Sequence, residues 1–210
     1  MNCLRIYRLK TLLLAFLIFS YSITAETKKL LILGDSISAG YGIKEAQNWV
    51  SLIGNNLKQK GVNLKIINSS ISGDTTVGGV TRIDGVLKKH KPDYVLIELG
   101  GNDALRGYPI SNIKDNLEKI VTRIKKQDSK PFLMQIKIPP NYGKKYIQAF
   151  EKVYLEVSNK EEIPLFSFML EKVALNDNLM QPDGIHPNAK AQPLIAREIE
   201  TVLMKEIKFP

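Results

Sequence analysis

Cysteine is almost missing from the 210-residue sequence, in which Cys3 is the sole example. Cys3 lies in a segment that we expect to be removed, so the mature chain would have no thiol for a disulfide, a cysteine-ligated metal or a cysteine nucleophile. Histidine is also scarce, with only His90 and His186, which disfavours a histidine-rich metal site. We therefore expect neither a metal nor a cofactor.

Long apolar runs are rare, and the longest lies near the N-terminus. A basic start with Arg5 and Arg8 precedes an apolar run over residues 12–19, and a more polar end reaches Ala25. This order is typical of a secretory signal peptide, whereas a membrane span needs about 20 apolar residues. We predict a signal peptide over residues 1–25, a single domain over residues 26–210, and a periplasmic or secreted location. An uncleaved anchor is the alternative.

Extended blocks of one charge are missing too. The formal net charge of +9 falls to +6 when the three basic residues of the leader are removed. The remaining lysines, such as Lys58, Lys88 and Lys125, are scattered and are typical of solvated helix faces rather than of a nucleic-acid surface. We expect no nucleic-acid partner, at most a transient contact with an anionic membrane surface, and a monomer.

What the sequence does contain is a series of short apolar runs without period-2 alternation. They cover residues 30–33, 64–67, 94–99, 132–136 and, more weakly, 165–166. Such runs are typical of strands buried on both faces. Stretches with apolar residues three and four apart, such as Ile113, Leu117 and Ile120, separate the runs and indicate helices. The pattern predicts an α/β fold with a mainly parallel five-stranded sheet between two helix layers.

Polar and small residues follow the first three predicted strands directly. Ser36 comes after the first strand, Gly73 after the second and Asn102 after the third. Asp183 and His186 lie three residues apart before the last predicted helix. Because ligands bind beyond the carboxyl ends of parallel strands, these positions are the candidates for a functional site.

These side chains match the needs of a serine hydrolase. Ser36 would be the nucleophile, His186 the base, and Asp183 the carboxylate that orients the imidazole. The backbone N–H groups of Ser36 and Gly73 and the side-chain amide of Asn102 would form the oxyanion hole. The sequence therefore predicts metal-independent acyl transfer.

Taken together, the four segments that carry Ser36, Gly73, Asn102 and His186 resemble the SGNH hydrolases, often called GDSL esterases. The resemblance extends over nearly all of residues 28–206. Ser36, Gly73, Asn102 and His186 match the four letters of the family name, and Ile37 stands where the popular name has Leu. The resemblance implies a flavodoxin-like three-layer α/β/α fold. It also implies an exported branch of the family with thioesterase, lysophospholipase, arylesterase and protease activities.

The resemblance further implies which residues contact the substrate. It suggests acyl esters, acyl-CoA thioesters and lysophospholipids, with a mobile loop over residues 104–109 beside the acyl chain. The substrate-binding residues that it implies are Leu105, Arg106, Gly107, Tyr108, Pro109, Ile138 and Tyr142. The stretch from Tyr142 to Phe150 is either an amphipathic helix by its pattern or a wall for the acyl chain by resemblance. The alternative for Leu105 is that it only packs under its own loop.

Each candidate residue also has a structural interpretation. Ser36 taken alone is typical of a helix cap, and Asn102 of a loop former. Asp35 at a strand end would suit a phosphoryl acceptor or a Mg²⁺ ligand, but no second carboxylate flanks it at the right spacing. We expect Asp35, Asp74 and Asp103 to be turn and cap residues.

Two alternatives to the esterase remain open. A carbohydrate O-deacetylase would share the fold and would have a short, polar pocket. A periplasmic acyl-chain carrier would bind without turnover. His90, at a predicted helix end, and Trp49, on an apolar helix face, are expected to be structural.

Overall fold

The computed structural model describes residues 27–207, and the predicted leader lies outside these residues. Five strands form one sheet in the order β2-β1-β3-β4-β5, and every neighbouring pair is parallel. The strands are β1 (Lys28–Gly34), β2 (Leu64–Asn68), β3 (Tyr94–Glu98), β4 (Lys130–Met134) and β5 (Leu165–Phe166). The predicted α/β fold with a five-stranded parallel sheet is thereby confirmed.

Within residues 27–207, seven α-helices connect and cover the strands. They are α1 (Ser36–Ala39), α2 (Trp49–Gln59), α3 (Thr76–His90), α4 (Gly101–Leu105), α5 (Ile110–Lys125), α6 (Lys144–Glu161) and α7 (Gln192–Glu206). Helix α2 packs against α7, while α5 packs against both α3 and α6. The helices thus form two groups, as expected for layers on the two faces of a parallel sheet.

The core is densest in the middle of the sheet. All four residues of the run Leu30–Leu33 in β1 are fully buried, as are Val95, Leu96 and Ile97 in β3. Trp49, at the start of α2, is fully buried as well. Their apolar side chains face helices on both sides, which explains the absence of period-2 alternation.

The expectation that every strand is buried on both faces is wrong for β2. Lys65 in this strand is exposed, and Ile66 and Ile67 are only partly buried. The sheet order explains the difference, because β2 is an edge strand and lacks a neighbour on one side.

The sheet order also places the functional crevice. The chain passes from β1 to β2 on one side and then to β3 on the other side of β1. Ligands of open α/β sheets bind at such a reversal, beyond the carboxyl ends of the strands. The register pairs Gly34 at the end of β1 with Glu98 at the end of β3. The segments that carry Ser36 and Asn102 therefore start side by side.

The expected mobile loop over residues 104–109 is partly helical. Ala104 and Leu105 belong to α4, in which the Ala104 N–H donates to Gly100 O at 3.0 Å. Only residues 106–109 connect α4 to α5. The predicted loop is too long because a short helix begins at Gly101, with Gly100 as its cap, and includes Ala104 and Leu105.

Most of the stretch from Tyr142 to Phe150, which follows β4, belongs to an amphipathic helix. Tyr146 and Phe150 lie in α6, with Phe150 fully buried, whereas Tyr142 ends a 3-10 turn over Pro140–Tyr142. Within residues 27–207, no helix has the length and apolar character needed to cross a membrane.

Candidate active site

Ser36 is the first residue of α1, and only Asp35 separates it from the end of β1. The helix cap is Asp35, whose Oδ1 accepts the N–H of Ile37 at 3.0 Å. The interpretation of Ser36 as a helix cap is therefore wrong, because the preceding carboxylate performs that task. The Ser36 hydroxyl instead faces His186, and Gly40 ends the helix in the left-handed conformation at φ 78°.

Ser36, His186 and Asp183 are connected by hydrogen bonds. His186 Nε2 lies 2.8 Å from Ser36 Oγ, and His186 Nδ1 lies 2.7 Å from Asp183 Oδ2. Asp183 Oδ1 also accepts the N–H groups of Ile185 at 2.9 Å and His186 at 3.0 Å. Partial burial opposes ionisation, but these hydrogen bonds outweigh it and lower the pKa of Asp183 to about 2. The carboxylate is thus ionised when the imidazole needs it.

The loop that carries His186 is closed like a hairpin. Gln181 N donates to His186 O at 2.7 Å, and Met180 forms an antiparallel bridge with Pro187. The Gln181 side chain then donates to Tyr41 O at 2.8 Å. The ring of Tyr41 lies 4.6 Å from the His186 ring, centroid to centroid. These contacts attach the loop to the segment that follows Ser36.

The three predicted oxyanion donors lie along one cavity with His186. Gly73 follows β2 with φ 79°, and its carbonyl accepts from Arg106 Nη2 at 3.2 Å. Asn102 lies in α4, so its interpretation as a loop former is wrong. The Asn102 amide Nδ2 donates to Asp35 Oδ2 at 3.1 Å, and Ser36, Gly73 and Asn102 all line the cavity.

Two buried carboxyl groups lie beneath this arrangement. Asp35 is 4% exposed and Glu98 is 1% exposed. Glu98 Oε2 accepts from Ser38 Oγ at 2.6 Å and from the Asp35 backbone N–H at 3.3 Å. Burial, together with the charge of Asp35, raises the pKa of Glu98 well above its usual range. Burial also raises the pKa of Asp35 to about 6, although the Ile37 N–H and the charge of His186 oppose the rise.

Glycine is required at position 34 because of Glu98. A Cβ at this position would lie 2.6 Å from Glu98 Oε2 and 2.8 Å from Ser38 Cβ. Sequence reasoning missed Glu98 as a site residue. The available signal was a lone acidic residue inside an apolar run that was itself predicted to be buried on both faces.

Asp74 and Asp103 support the segment after β2. Asp74 Oδ2 pairs with the Arg82 guanidinium at 2.8 Å and its Oδ1 accepts the Thr75 N–H at 2.9 Å. Asp103 accepts from the Thr76 N–H at 2.9 Å and from Thr76 Oγ1 at 2.5 Å. Asp74 acts as a turn residue, and Asp35 caps α1 and additionally reaches the Asn102 amide. The expectation that Asp103 is a turn or cap residue is wrong, because it lies inside α4 and the cap of α3 is Thr75.

The cavity has a volume of about 750 Å³, within the usual range for small-molecule sites. Two predicted substrate residues, Leu105 and Ile138, line it. The remaining predicted substrate residues do not: Arg106, Gly107, Tyr108, Pro109 and Tyr142. The cavity lining therefore supports only part of the set that the resemblance implies.

A wall of the cavity that sequence reasoning missed follows β5. It consists mainly of apolar side chains: Phe168, Met169, Leu170, Ala174 and Leu175. The available signal was positional, because this segment follows a strand at the same edge of the sheet as the other site segments.

The segment after α4 is tied to α6. Tyr146 Oη donates to Tyr108 O at 2.9 Å and to Ala104 O at 3.4 Å.

His90, which was expected to be structural, is the last residue of α3. Within residues 27–207, no three His, Cys, Asp or Glu side chains converge in a way that could hold a metal ion.

Comparison with known proteins identifies similar enzymes. The model of the GDSL-like lipase/acylhydrolase family matches residues 32–193. An arylesterase of Vibrio mimicus is 42% identical over 200 residues, which are 95% of this chain and 99% of the relative. The thioesterase 1/protease 1/lysophospholipase L1 of Escherichia coli K12 is 42% identical over 181 residues, 86% of each chain. The crystal structure of the psychrotrophic esterase EstA from Pseudoalteromonas sp. superposes with a TM-score of 0.84 at 38% identity, covering 85% of this chain and 98% of that one.

Proposed function

The chain belongs to the GDSL-like lipase/acylhydrolase family, and from this premise we propose that it hydrolyses carboxylic esters and thioesters of acyl compounds through Ser36. The observation that carries the proposal is the hydrogen-bonded series Asp183, His186 and Ser36, which opens into a largely apolar cavity. A nucleophile, a base and an orienting carboxylate in this order are the parts that acyl transfer needs.

The reaction follows from the positions of these groups. Ser36 Oγ attacks the acyl carbonyl while His186 Nε2 takes its proton, and Asp183 stabilises the imidazolium that forms. The N–H groups of Ser36 and Gly73 and the amide of Asn102 stabilise the oxyanion. The bond from carbon to the leaving oxygen or sulfur then breaks, and His186 returns the proton to the leaving group. Water repeats the sequence on the acyl-enzyme and releases the acid.

The apolar walls of the cavity favour an acyl chain as the bound group. Leu105, Ile138 and the segment from Phe168 to Leu175 would contact this chain. The similar proteins are named for arylesterase, thioesterase, protease and lysophospholipase activities. We propose aryl esters, acyl thioesters and lysophospholipids as the substrate classes of this chain. Arg106, Gly107, Tyr108, Pro109 and Tyr142 remain predicted substrate residues by resemblance alone.

The two alternatives are weaker on the same observations. A carbohydrate O-deacetylase would need a polar pocket for the sugar, which the apolar lining disfavours. A carrier without turnover would have no need for the hydrogen-bonded series from Asp183 to Ser36.

We also propose that the chain acts outside the cytoplasm, since residues 1–25 have the pattern of a signal peptide. The monomeric state stays a prediction.

A panel of p-nitrophenyl esters and acyl-CoA thioesters of increasing chain length tests the proposal, with Ser36→Ala as the control. We expect hydrolysis by the wild type alone. The similar esterase EstA has a structure inhibited by monoethylphosphonate, so a phosphonate ester should inactivate this protein and add its mass to the peptide that contains Ser36. Normal turnover by purified Ser36→Ala would contradict the nucleophile, and stoichiometric fatty-acid binding without hydrolysis would favour the carrier.

A further inference from the structure

Asp35 has contacts that its position as a helix cap does not explain. We propose that Asp35 is a positioning residue, whose carboxylate fixes the side-chain amide of Asn102 so that an N–H of this amide faces the cavity. The inference rests on the proposed function, in which that N–H stabilises the oxyanion.

Both carboxylate oxygens of Asp35 are engaged. Oδ1 accepts the Ile37 N–H at 3.0 Å, and Oδ2 accepts from Asn102 Nδ2 at 3.1 Å. A carboxylate can only accept hydrogen bonds, so it selects the amide orientation in which Nδ2 points toward residue 35. The amide has a second N–H, and Asn102 lines the cavity. In the opposite orientation the Asn102 oxygen would face both Asp35 and the oxyanion and would repel them.

The Asp35 backbone is itself held from below. Its N–H donates to Glu98 Oε2 at 3.3 Å, and the same oxygen accepts from Ser38 Oγ at 2.6 Å. Glu98 is nearly fully buried at the end of β3, opposite Gly34 in the register. Asp35 therefore has a fixed backbone as well as a fixed carboxylate, which is the requirement for orienting a neighbouring amide.

The charged groups that act on Asp35 come from three further parts of the chain. Glu98 approaches from β3, Asp74 from the segment after β2, and His186 from the loop before α7. Burial is nevertheless the largest influence and raises the pKa of Asp35 to about 6. The protein thus keeps a carboxylate where burial disfavours its charge, although a neutral amide would fill the same space. A role that needs an acceptor on both oxygens explains this choice.

The Asp35→Asn variant tests the inference by removing one acceptor without changing the size of the side chain. Its single oxygen can keep the Ile37 N–H, and its NH₂ group then faces Asn102, which must turn its own oxygen toward residue 35. We expect kcat for a p-nitrophenyl ester to fall about 100-fold, with KM within about threefold, because an oxyanion donor acts mainly in the transition state. At pH 8 the variant should melt no lower than the wild type, because it loses a buried charge.

A double-mutant cycle separates positioning from a general structural effect. If Asp35 acts through Asn102, the double variant Asp35→Asn/Asn102→Ala should be no slower than Asn102→Ala alone. Wild-type kcat in Asp35→Asn would overturn the inference, and so would losses that multiply in the double variant.

Asp103→Asn is the matched control. Asp103 is also buried, but its carboxylate accepts from Thr76 rather than from Asn102. We expect this variant to melt at a lower temperature while keeping kcat within about threefold of the wild type. A loss of kcat as large as that of Asp35→Asn would mean that any buried carboxylate near the site matters, which would overturn the specific role of Asp35.

A measurement that needs no ester hydrolysis distinguishes failure of this inference from failure of the proposed function. In His186→Ala, which removes the imidazole, the side-chain amide NMR signals of Asn102 should shift with pH as Asp35 titrates. Because the charge of His186 lowers the pKa of Asp35, this titration should lie at a higher pH in the variant than in the wild type. The shift should disappear when Asp35→Asn is added. Amide signals that do not depend on pH would overturn the inference, whereas a wild type without esterase activity would overturn only the proposed function.

Discussion

The two halves of the candidate site are built in different ways. The oxyanion half carries the proposed oxyanion donors, and the residues that hold it together are far apart in sequence: Asp35 and Asn102 are 67 residues apart, and Asp35 and Glu98 are 63 apart. The base half carries the proposed base, and here Asp183 holds His186 from three residues away. The first half depends on the register of the sheet, whereas the second is a local loop that contacts the rest through Ser36 and Tyr41.

The two halves also differ in the burial and the pKa of their carboxyl groups. The carboxylate of the base half is partly exposed and has its pKa lowered to about 2 by hydrogen bonds. The carboxyl groups of the oxyanion half, Asp35 and Glu98, are buried and have their pKa values raised. An exposed group can be stabilised by the few N–H groups of its own loop, whereas a buried group loses more hydration than its partners replace.

Ser36→Ala is expected to have the largest effect, because both halves act on this one oxygen. Activity should fall by up to about a million-fold, as expected when a nucleophile that works as part of a unit is removed. The melting temperature should change little, because the hydroxyl faces the cavity and does not cap α1. Initial rates and thermal melts of the purified variant measure both quantities. A loss of less than about tenfold would separate Ser36 from the chemistry.

Asp183→Asn tests the local half. The asparagine keeps the size of the side chain but not the charge that stabilises the imidazolium, so kcat should fall by up to about ten-thousand-fold. Steady-state rates of the purified variant, compared with those of the wild type, check this expectation. A loss of less than about tenfold would mean that the charge of Asp183 does not stabilise the imidazolium.

Asn102→Ala tests the half that is held by the sheet. We expect kcat to fall about 100- to 1,000-fold with a smaller change in KM, because the amide bonds more strongly to the oxyanion than to the ground-state carbonyl. A rise in KM at constant kcat would make Asn102 a ground-state binding residue.

Leu105→Ala tests whether the cavity wall beside Asn102 contacts the acyl chain. Each buried methylene-sized group is worth about 0.8 kcal/mol, so up to about 2 kcal/mol would be lost for a chain that fully covers Leu105. The fall in kcat/KM should therefore be about 30-fold for long chains and negligible for acetyl esters. Leu155→Ala is the control, since Leu155 is half-exposed on α6 and outside the cavity lining. An equal fall at every chain length would mean that Leu105 packs under its own segment.

The different construction of the halves explains what the sequence could predict. The spacing of Asp183 and His186 is local, and Ser36, Gly73 and Asn102 each follow a strand that was recognisable by its apolar run. The hydrogen bond between Asp35 and Asn102 and the hydrogen bonds that Glu98 accepts from Ser38 and the Asp35 N–H were not predicted. They depend on which residue of β3 lies opposite Gly34, and this register is set by the packing of the whole sheet rather than by any local pattern.

The boundary between α4 and the segment that follows it could also not be predicted from the sequence. Residues 104–109 contain Gly107 and Pro109, which favour a turn, but the helix begins earlier, at Gly101. The segment after β5 was missed for a related reason, because β5 has only two residues and gives a weak strand signal. Without a clear strand, the position of its following segment at the site edge could not be inferred.

The smallest expected effect concerns how the contributions of Asp183 and Asp35 to the stability of the fold change with pH. Asp183 has a native pKa of about 2, below the ordinary 3.8, so it stabilises the fold above pH 3.8 and loses this contribution as the pH falls through 2. Asp35 has a native pKa of about 6, so its contribution is present below 3.8 and is lost as the pH rises through 6. Asp183→Asn should therefore destabilise the protein at pH 7, by at most about 1 kcal/mol given the exposure of the group, and Asp35→Asn should not. Thermal melts of both variants from about pH 2 to pH 8 check this, because the wild type should gain stability over Asp183→Asn as the pH rises from about 2 to 4 and lose stability relative to Asp35→Asn as it rises from about 4 to 6. Parallel curves would mean that the two carboxylates do not have opposite environments.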